Sequence, residues 1–168
     1  DLPEYPDSMD YRYDNVITLR TFSKAYGLAG FRVGYGFGHP DLITNLWKVK
    51  LPFQPTHLAQ VAAVAALQDT EFLEMTLRRN EEGRRVLVEG LAKLGLKSVP
   101  SCTNFVMFRV ESPERVAQIY QGMLRRGVII RPLGQMDLPD CLRISVGRPE
   151  EIEFCLETLA VVLTQLDT

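Results

Sequence analysis

Histidine is nearly absent from this 168-residue chain, which has two, and cysteine is scarce at three. His39 and His57 have no metal-ligand spacing, so no metal site is expected. Cys102, Cys141 and Cys155 are odd in number and form no C-x-x-C pair, which argues against a disulfide framework or a zinc ribbon. They read as reduced thiols of a cytoplasmic protein, packed as small apolar residues. No apolar run is long enough to span a bilayer, and no signal peptide is visible. Lysine is short too, at five against fourteen arginines. That bias suits recognition of small carboxylates and phosphates, although surface ion pairs account for most of it. A net charge of −2 gives no electrostatic reason to expect nucleic acid or an anionic membrane as partner. A Walker loop is excluded because no G-x-x-x-x-G-K-[ST] occurs. Gly34-Tyr-Gly-Phe-Gly38 lacks the further glycine and the helix of a dinucleotide loop, and reads as a glycine-spaced strand.

What is present is an ordinary globular composition, 46% hydrophobic and 24% charged, enough for one good core or two small ones. Asp1 to Asp14 reads as loop, Val16 to Leu19 as a short strand, and Arg32 to Gly38 as another. Pro40 to Lys50 fits a helix. Thr56 is an N-cap for an alanine-rich helix through Leu67, and Asp69 or Thr70 caps a longer one to about Leu94, with Gly95 at C′. The charged stretch Glu71 to Arg85 implies a solvated face or a bridge between domains. Beyond Gly95, strands are expected at 104–110, 128–131 and 142–146. Helices are expected from Pro113 towards Gly127 and from Pro149 to the end. The second half therefore reads as a compact α+β domain.

The most informative stretch is Thr21-Phe-Ser-Lys-Ala-Tyr-Gly-Leu-Ala-Gly-Phe-Arg-Val-Gly34. It sets Lys24 beside the hydroxyls of Thr21 and Ser23, with Arg32 and three glycines following. A lysine attacks an aldehyde as the free amine, and hydroxyls with a guanidinium hold a phosphate. Pyridoxal phosphate carries both groups. A solvated surface lysine remains the plain alternative, as does core packing for Tyr26. His39 and His57 read as structural or exposed.

R-T-F-S-K-A-Y-G-L-A-G-F-R-V-G-Y closely resembles the active-site segment of fold type I pyridoxal phosphate-dependent aminotransferases. Within that family it is most similar to the histidinol-phosphate aminotransferases. T-N-F at 103–105, G-V-I-I-R-P-L at 127–133 and L-P-D-C-L-R-I-S-V-G at 138–147 agree in order, so the resemblance runs from about Val16 to the C-terminus. It implies an α/β fold, the C-terminal part of the type I aminotransferase architecture. Residues 1–75 would close the large cofactor domain, and residues 76–168 would form the small α+β domain.

The resemblance implies that Lys24 forms the Schiff base with the cofactor and moves the substrate's α-proton. It assigns Thr21, Ser23 and Arg32 to the cofactor phosphate, and Arg143 to a substrate carboxylate or the anion in its place. The alternation of Leu142-Arg-Ile-Ser-Val146 independently turns Arg143 away from the apolar residues around it. Arg131 is a second substrate-binding candidate. Asn104 is a third, and is equally suited to ordering backbone nearby. Arg148 departs from the family's usual threonine, which should weaken the N-cap of the last helix. The upstream aspartate and tyrosine of a D-x-A-Y segment are not identifiable, since Asp1-Leu-Pro-Glu-Tyr5 does not match. With Asp1 rather than Met first, the chain is expected to be a segment of a longer homodimeric enzyme. The implied reaction moves an amino group between histidinol phosphate and 2-oxoglutarate in histidine biosynthesis. A threonine-phosphate decarboxylase-like enzyme, another amino-acid aminotransferase and a catalytically silent fragment stay open.

Overall fold

A computed structural model describes residues 7–11 and 13–167, so the Asp1–Tyr5 comparison lies outside the described residues. The chain divides into two compact units, Asp1–Leu77 and Arg78–Thr168.

The first unit is built on a two-stranded antiparallel sheet. Strand β1 (Ile17–Thr21) pairs with β2 (Gly34–Gly38), setting Thr21 opposite Gly34 and Ile17 opposite Gly38. A Cβ at Gly34 would lie 2.7 Å from the Arg20 carbonyl oxygen, so only glycine permits this approach. The expected strand from Arg32 starts two residues later, because Arg32 is left-handed (φ 51°, ψ 49°) and ends the 3-10 turn Ala29–Phe31. Helix α1 (Pro40–Val49) starts at His39, whose Nδ1 accepts from the Asp41 amide at 3.4 Å. Helix α2 (His57–Gln68) is capped by Thr56 Oγ1, which accepts from the Ala59 amide at 3.2 Å. Buried Ala59 and Ala63 let α2 pack closely on Phe22 and Val33, with Tyr26, Leu28 and Ala66 around them. Tyr26 is thus a packing residue, its ring centroid 5.0 Å from that of Phe22.

Helix α3 (Thr70–Lys93) has Asp69 as its cap, the carboxylate accepting from the Phe72 amide at 3.0 Å. Gly95, at φ +75°, terminates it.

In the second unit, β3 (Lys97–Ser98), β4 (Phe105–Arg109), β5 (Arg131–Pro132) and β6 (Cys141–Ser145) form an antiparallel sheet ordered β3-β4-β6-β5. Helices α4 (Pro113–Leu124) and α5 (Pro149–Leu166) complete it. Val106, Phe108, Leu142 and Ile144 alternate onto one sheet face and join Leu87, Leu91, Ile119, Met123 and Leu159 in the core. Each such side chain contributes about 1.5–3 kcal/mol by leaving water. The opposite face carries Phe105, Met107 and Arg143, with Arg131 opposite Arg143 in register.

One expectation is corrected. The strand expected at 128–131 is only Arg131–Pro132. The Val128 amide turns back to the Met123 carbonyl (3.1 Å), closing α4, and Pro132 has no N–H to extend the ladder. At Arg148 the N-cap is weak as expected, its side chain making no capping hydrogen bond to the helix, and Glu151 compensates. Its Oε2 accepts from the Arg148 amide at 2.8 Å, while Oε1 accepts from Arg148 Nε and Nη2 at 3.2 and 3.0 Å.

Candidate active site

The loop after β1 is anchored at both ends. The Phe22 amide donates to the Val33 carbonyl (3.3 Å), and the Leu28 amide to the Phe22 carbonyl (2.9 Å). Phe22 is buried, so the loop is pinned by an apolar residue while its next two side chains reach outward. Lys24 lies on the turn that follows, its carbonyl accepting from the Gly27 amide at 2.9 Å, and its side chain is exposed.

Thr21, Ser23 and Arg32 line one surface depression, together with Arg20 and Gly34. Thr21 Oγ1 donates to Ser23 Oγ at 2.9 Å and accepts from the Ser23 amide at 3.0 Å, which leaves the Ser23 hydroxyl hydrogen for another acceptor. Arg32 Nη1 donates to the Ala29 carbonyl at 3.0 Å, committing one of five guanidinium donors. Two hydroxyls and a guanidinium facing one open depression form a donor set that fits a phosphate. The sequence reading missed Arg20 at this rim. Its partner there is Asp7, at 3.4 Å.

In the second unit, Arg143 is half-buried and stacks on Phe105, the guanidinium carbon 4.7 Å from the ring centroid. Arg143 Nε is buried and has no hydrogen-bond partner among the described residues. An unpaired buried donor costs about 1–3 kcal/mol, and more when charged. Arg131 faces Arg143 directly across β5 and β6, and like charges so placed repel. Both features suit an anion on this sheet face. Asn104 is exposed, and its recorded contact is through the backbone, its carbonyl accepting from the Val146 amide at 2.9 Å. The preceding Thr103 carbonyl accepts from Asn80 Nδ2 (3.2 Å) and Arg84 Nη1 (3.4 Å), which ties this loop to α3. Among the described residues no three His, Cys, Asp or Glu side chains group as metal ligands would, and no helix is long and apolar enough to cross a membrane.

Lys24, on the turn after β1, is not among the residues that line the depression of Thr21, Ser23 and Arg32. The chain belongs to the aminotransferase class I and II family, whose model matches residues 8–159. It is 48% identical over 157 residues to histidinol-phosphate aminotransferase 2 of Ralstonia nicotianae, covering 93% of this chain and 42% of that protein. Identity to the histidinol-phosphate aminotransferase of Methylobacillus flagellatus is 47% over 151 residues, covering 90% and 40% respectively. The crystal structure of histidinol-phosphate aminotransferase from Sinorhizobium meliloti in complex with pyridoxal-5'-phosphate superimposes with a TM-score of 0.86 at 33% identity. That match covers 91% of this chain and 42% of that one. The chain thus spans about two fifths of the length of the curated relatives it matches.

Proposed function

We propose that this chain is the Lys24-bearing part of a pyridoxal phosphate-dependent aminotransferase acting on histidinol phosphate and 2-oxoglutarate. The observation that carries the proposal is the placing of Thr21, Ser23 and Arg32 around one depression, on the loop that presents Lys24. The names of the relatives supply the substrate. Pyridoxal phosphate, when bound, supplies an aldehyde for amine exchange and an electron-accepting ring. Lys24 Nζ is the amine that would hold the cofactor through its aldehyde, and it would move the proton of the substrate α-carbon. Ser23 Oγ, Thr21 Oγ1 and the Arg32 guanidinium bind the phosphate and fix the ring's position. Arg143 and Arg131 bind the substrate's anionic group with their guanidinium N–H donors. Residues 1–75 serve the cofactor domain and 76–168 the small domain of a cytoplasmic homodimer.

The test is Lys24→Ala in the full-length parent. Transamination of histidinol phosphate should fall by at least about three orders of magnitude, and unchanged turnover would sink the proposal. A second reading, that the chain alone is catalytically silent, is favoured by the exposure of Lys24 and by a cofactor-side sheet of only two strands. Borohydride reduction of the chain after incubation with pyridoxal phosphate, followed by peptide mapping, separates the two. An adduct confined to Lys24 shows a working pocket, and scattered or absent labelling supports the silent piece.

A further inference from the structure

Strand β4 holds two phenylalanines of different standing. Phe108 is fully buried and belongs to the core, whereas Phe105, an odd number of residues away, lies on the opposite sheet face and is only partly buried. Core packing therefore does not account for an aromatic residue at 105. Its distinguishing contact is with Arg143. In the β4–β6 register Phe105 faces Ser145 and Met107 faces Arg143, so Phe105 and Arg143 are diagonal neighbours, a separation that long and aromatic side chains bridge. The guanidinium carbon lies 4.7 Å from the ring centroid, within cation–π range.

The stack answers a physical problem. A long arginine side chain on an open sheet face has many rotamers, and Arg131, directly opposite, repels its charge. Without a restraint Arg143 would swing towards water and away from Arg131. The ring gives the guanidinium a plane to lie on, and its π face attracts the cation without using any N–H. No donor is taken up by the ring, and the buried Nε too has no partner among the described residues. A carboxylate in place of Phe105 would hold the arginine equally well, but would occupy those donors and cancel the charge. The backbone beneath the ring is itself held, since Ser101 Oγ donates to the Phe105 carbonyl at 2.6 Å.

We propose that Phe105 is a positioning residue. It holds the Arg143 guanidinium over its ring without occupying an N–H, so that Arg143 and Arg131 together grip a phosphomonoester or carboxylate. The proposal rests on the reading of Arg143 as an anion-binding residue and adds the device that keeps it ready.

The test follows the Nε–Hε signal of Arg143 in 1H–15N spectra of the whole chain, assigned with Arg143→Lys, during titration with inorganic phosphate at constant ionic strength. Ring current from Phe105 should displace the Hε signal upfield in the free protein, and phosphate should move it saturably. Phe105→Leu should abolish the ring-current displacement and weaken phosphate binding about three- to fivefold. Phe105→Tyr should keep both within about twofold of the parent. Backbone amide spectra that overlay the parent's away from β4 and β6 show that each variant folds. Equal phosphate affinity in the parent and a folded Phe105→Leu overturns the role of Phe105 alone. If phosphate fails to move the Arg143 signal in the parent, the anion-binding reading falls first and the positioning role falls with it.

Discussion

Arg32 occupies a left-handed backbone conformation that costs a residue with a side chain about 1–2 kcal/mol. Under the proposed function that cost is offset by a guanidinium at the depression that Arg32 lines with Thr21 and Ser23. Arg32→Gly should therefore raise the chain's unfolding free energy by about 0.5 kcal/mol in denaturant melts, after the extra freedom of glycine when unfolded. The same change in the full-length parent should weaken pyridoxal phosphate binding at least about tenfold, read by absorbance titration. Cys155 makes a second prediction. Burial pushes its thiol from 9.0 to about 11. A raised value means the folded state holds the proton more tightly, so this contribution is complete below pH 9 and is lost as pH rises towards 11. Stability should fall through that window by up to about 1 kcal/mol per pH unit, and Cys155→Ala should flatten that part of the profile. The pairing of Thr21 with Ser23 was legible in the sequence, because a spacing of two residues brings their hydroxyls together. The Phe105–Arg143 stack was not legible, because strand register decides which residues in 105–109 and 141–145 become diagonal neighbours.

Helix limits follow short-range chemistry, and here the helix starts matched the expected boundaries to within about a residue. Thr56, Asp69 and Ser112 each accept from an amide three residues on, a contact that needs no tertiary structure to specify it. Strand pairing is non-local, which is why β3 and the β1–β2 antiparallel register had no separate signature in the sequence. Helix α5 shows how one element can compensate for a poor cap. The Arg148 amide and side chain bond to Glu151 and hold its carboxyl below the usual 4.5, so the stabilising form is the carboxylate. A depressed value means this contribution is present above pH 4.5 and is lost as pH falls through the lower value. Glu151→Ala should lower the melting temperature at neutral pH, and the gap to the parent should narrow in acid. Thermal melts followed by circular dichroism at neutral and acidic pH check this; a gap of constant size would show that the carboxylate plays no such part.

For the whole molecule, stability is unevenly shared. All nine of the largest fully buried side chains, from Phe108 to Cys141, belong to the second unit. The buried core cluster of the first unit is Phe22, Val33, Ala59 and Ala63. Trp47, Val49 and Leu51 are more than half exposed, and Phe53 is 94% exposed. Native-state hydrogen exchange should therefore find the amides of β4, β6 and α5 protected to near the global unfolding free energy. Those of β1 and β2 should open at least about 2 kcal/mol more easily. Uniform protection across both units would contradict this division. The scarcity of lysine has a practical consequence at the same scale. Besides Lys24 the chain has only Lys48, Lys50, Lys93 and Lys97. Lys48 bonds Asn45 at 2.8 Å and Lys50 lies 5.3 Å from the Trp47 ring centroid, contacts that arginine also makes, while Lys93 and Lys97 are exposed. Four lysine-to-arginine exchanges would leave a chain of unchanged net charge with a single side-chain amine, ready for conjugation at one chosen atom.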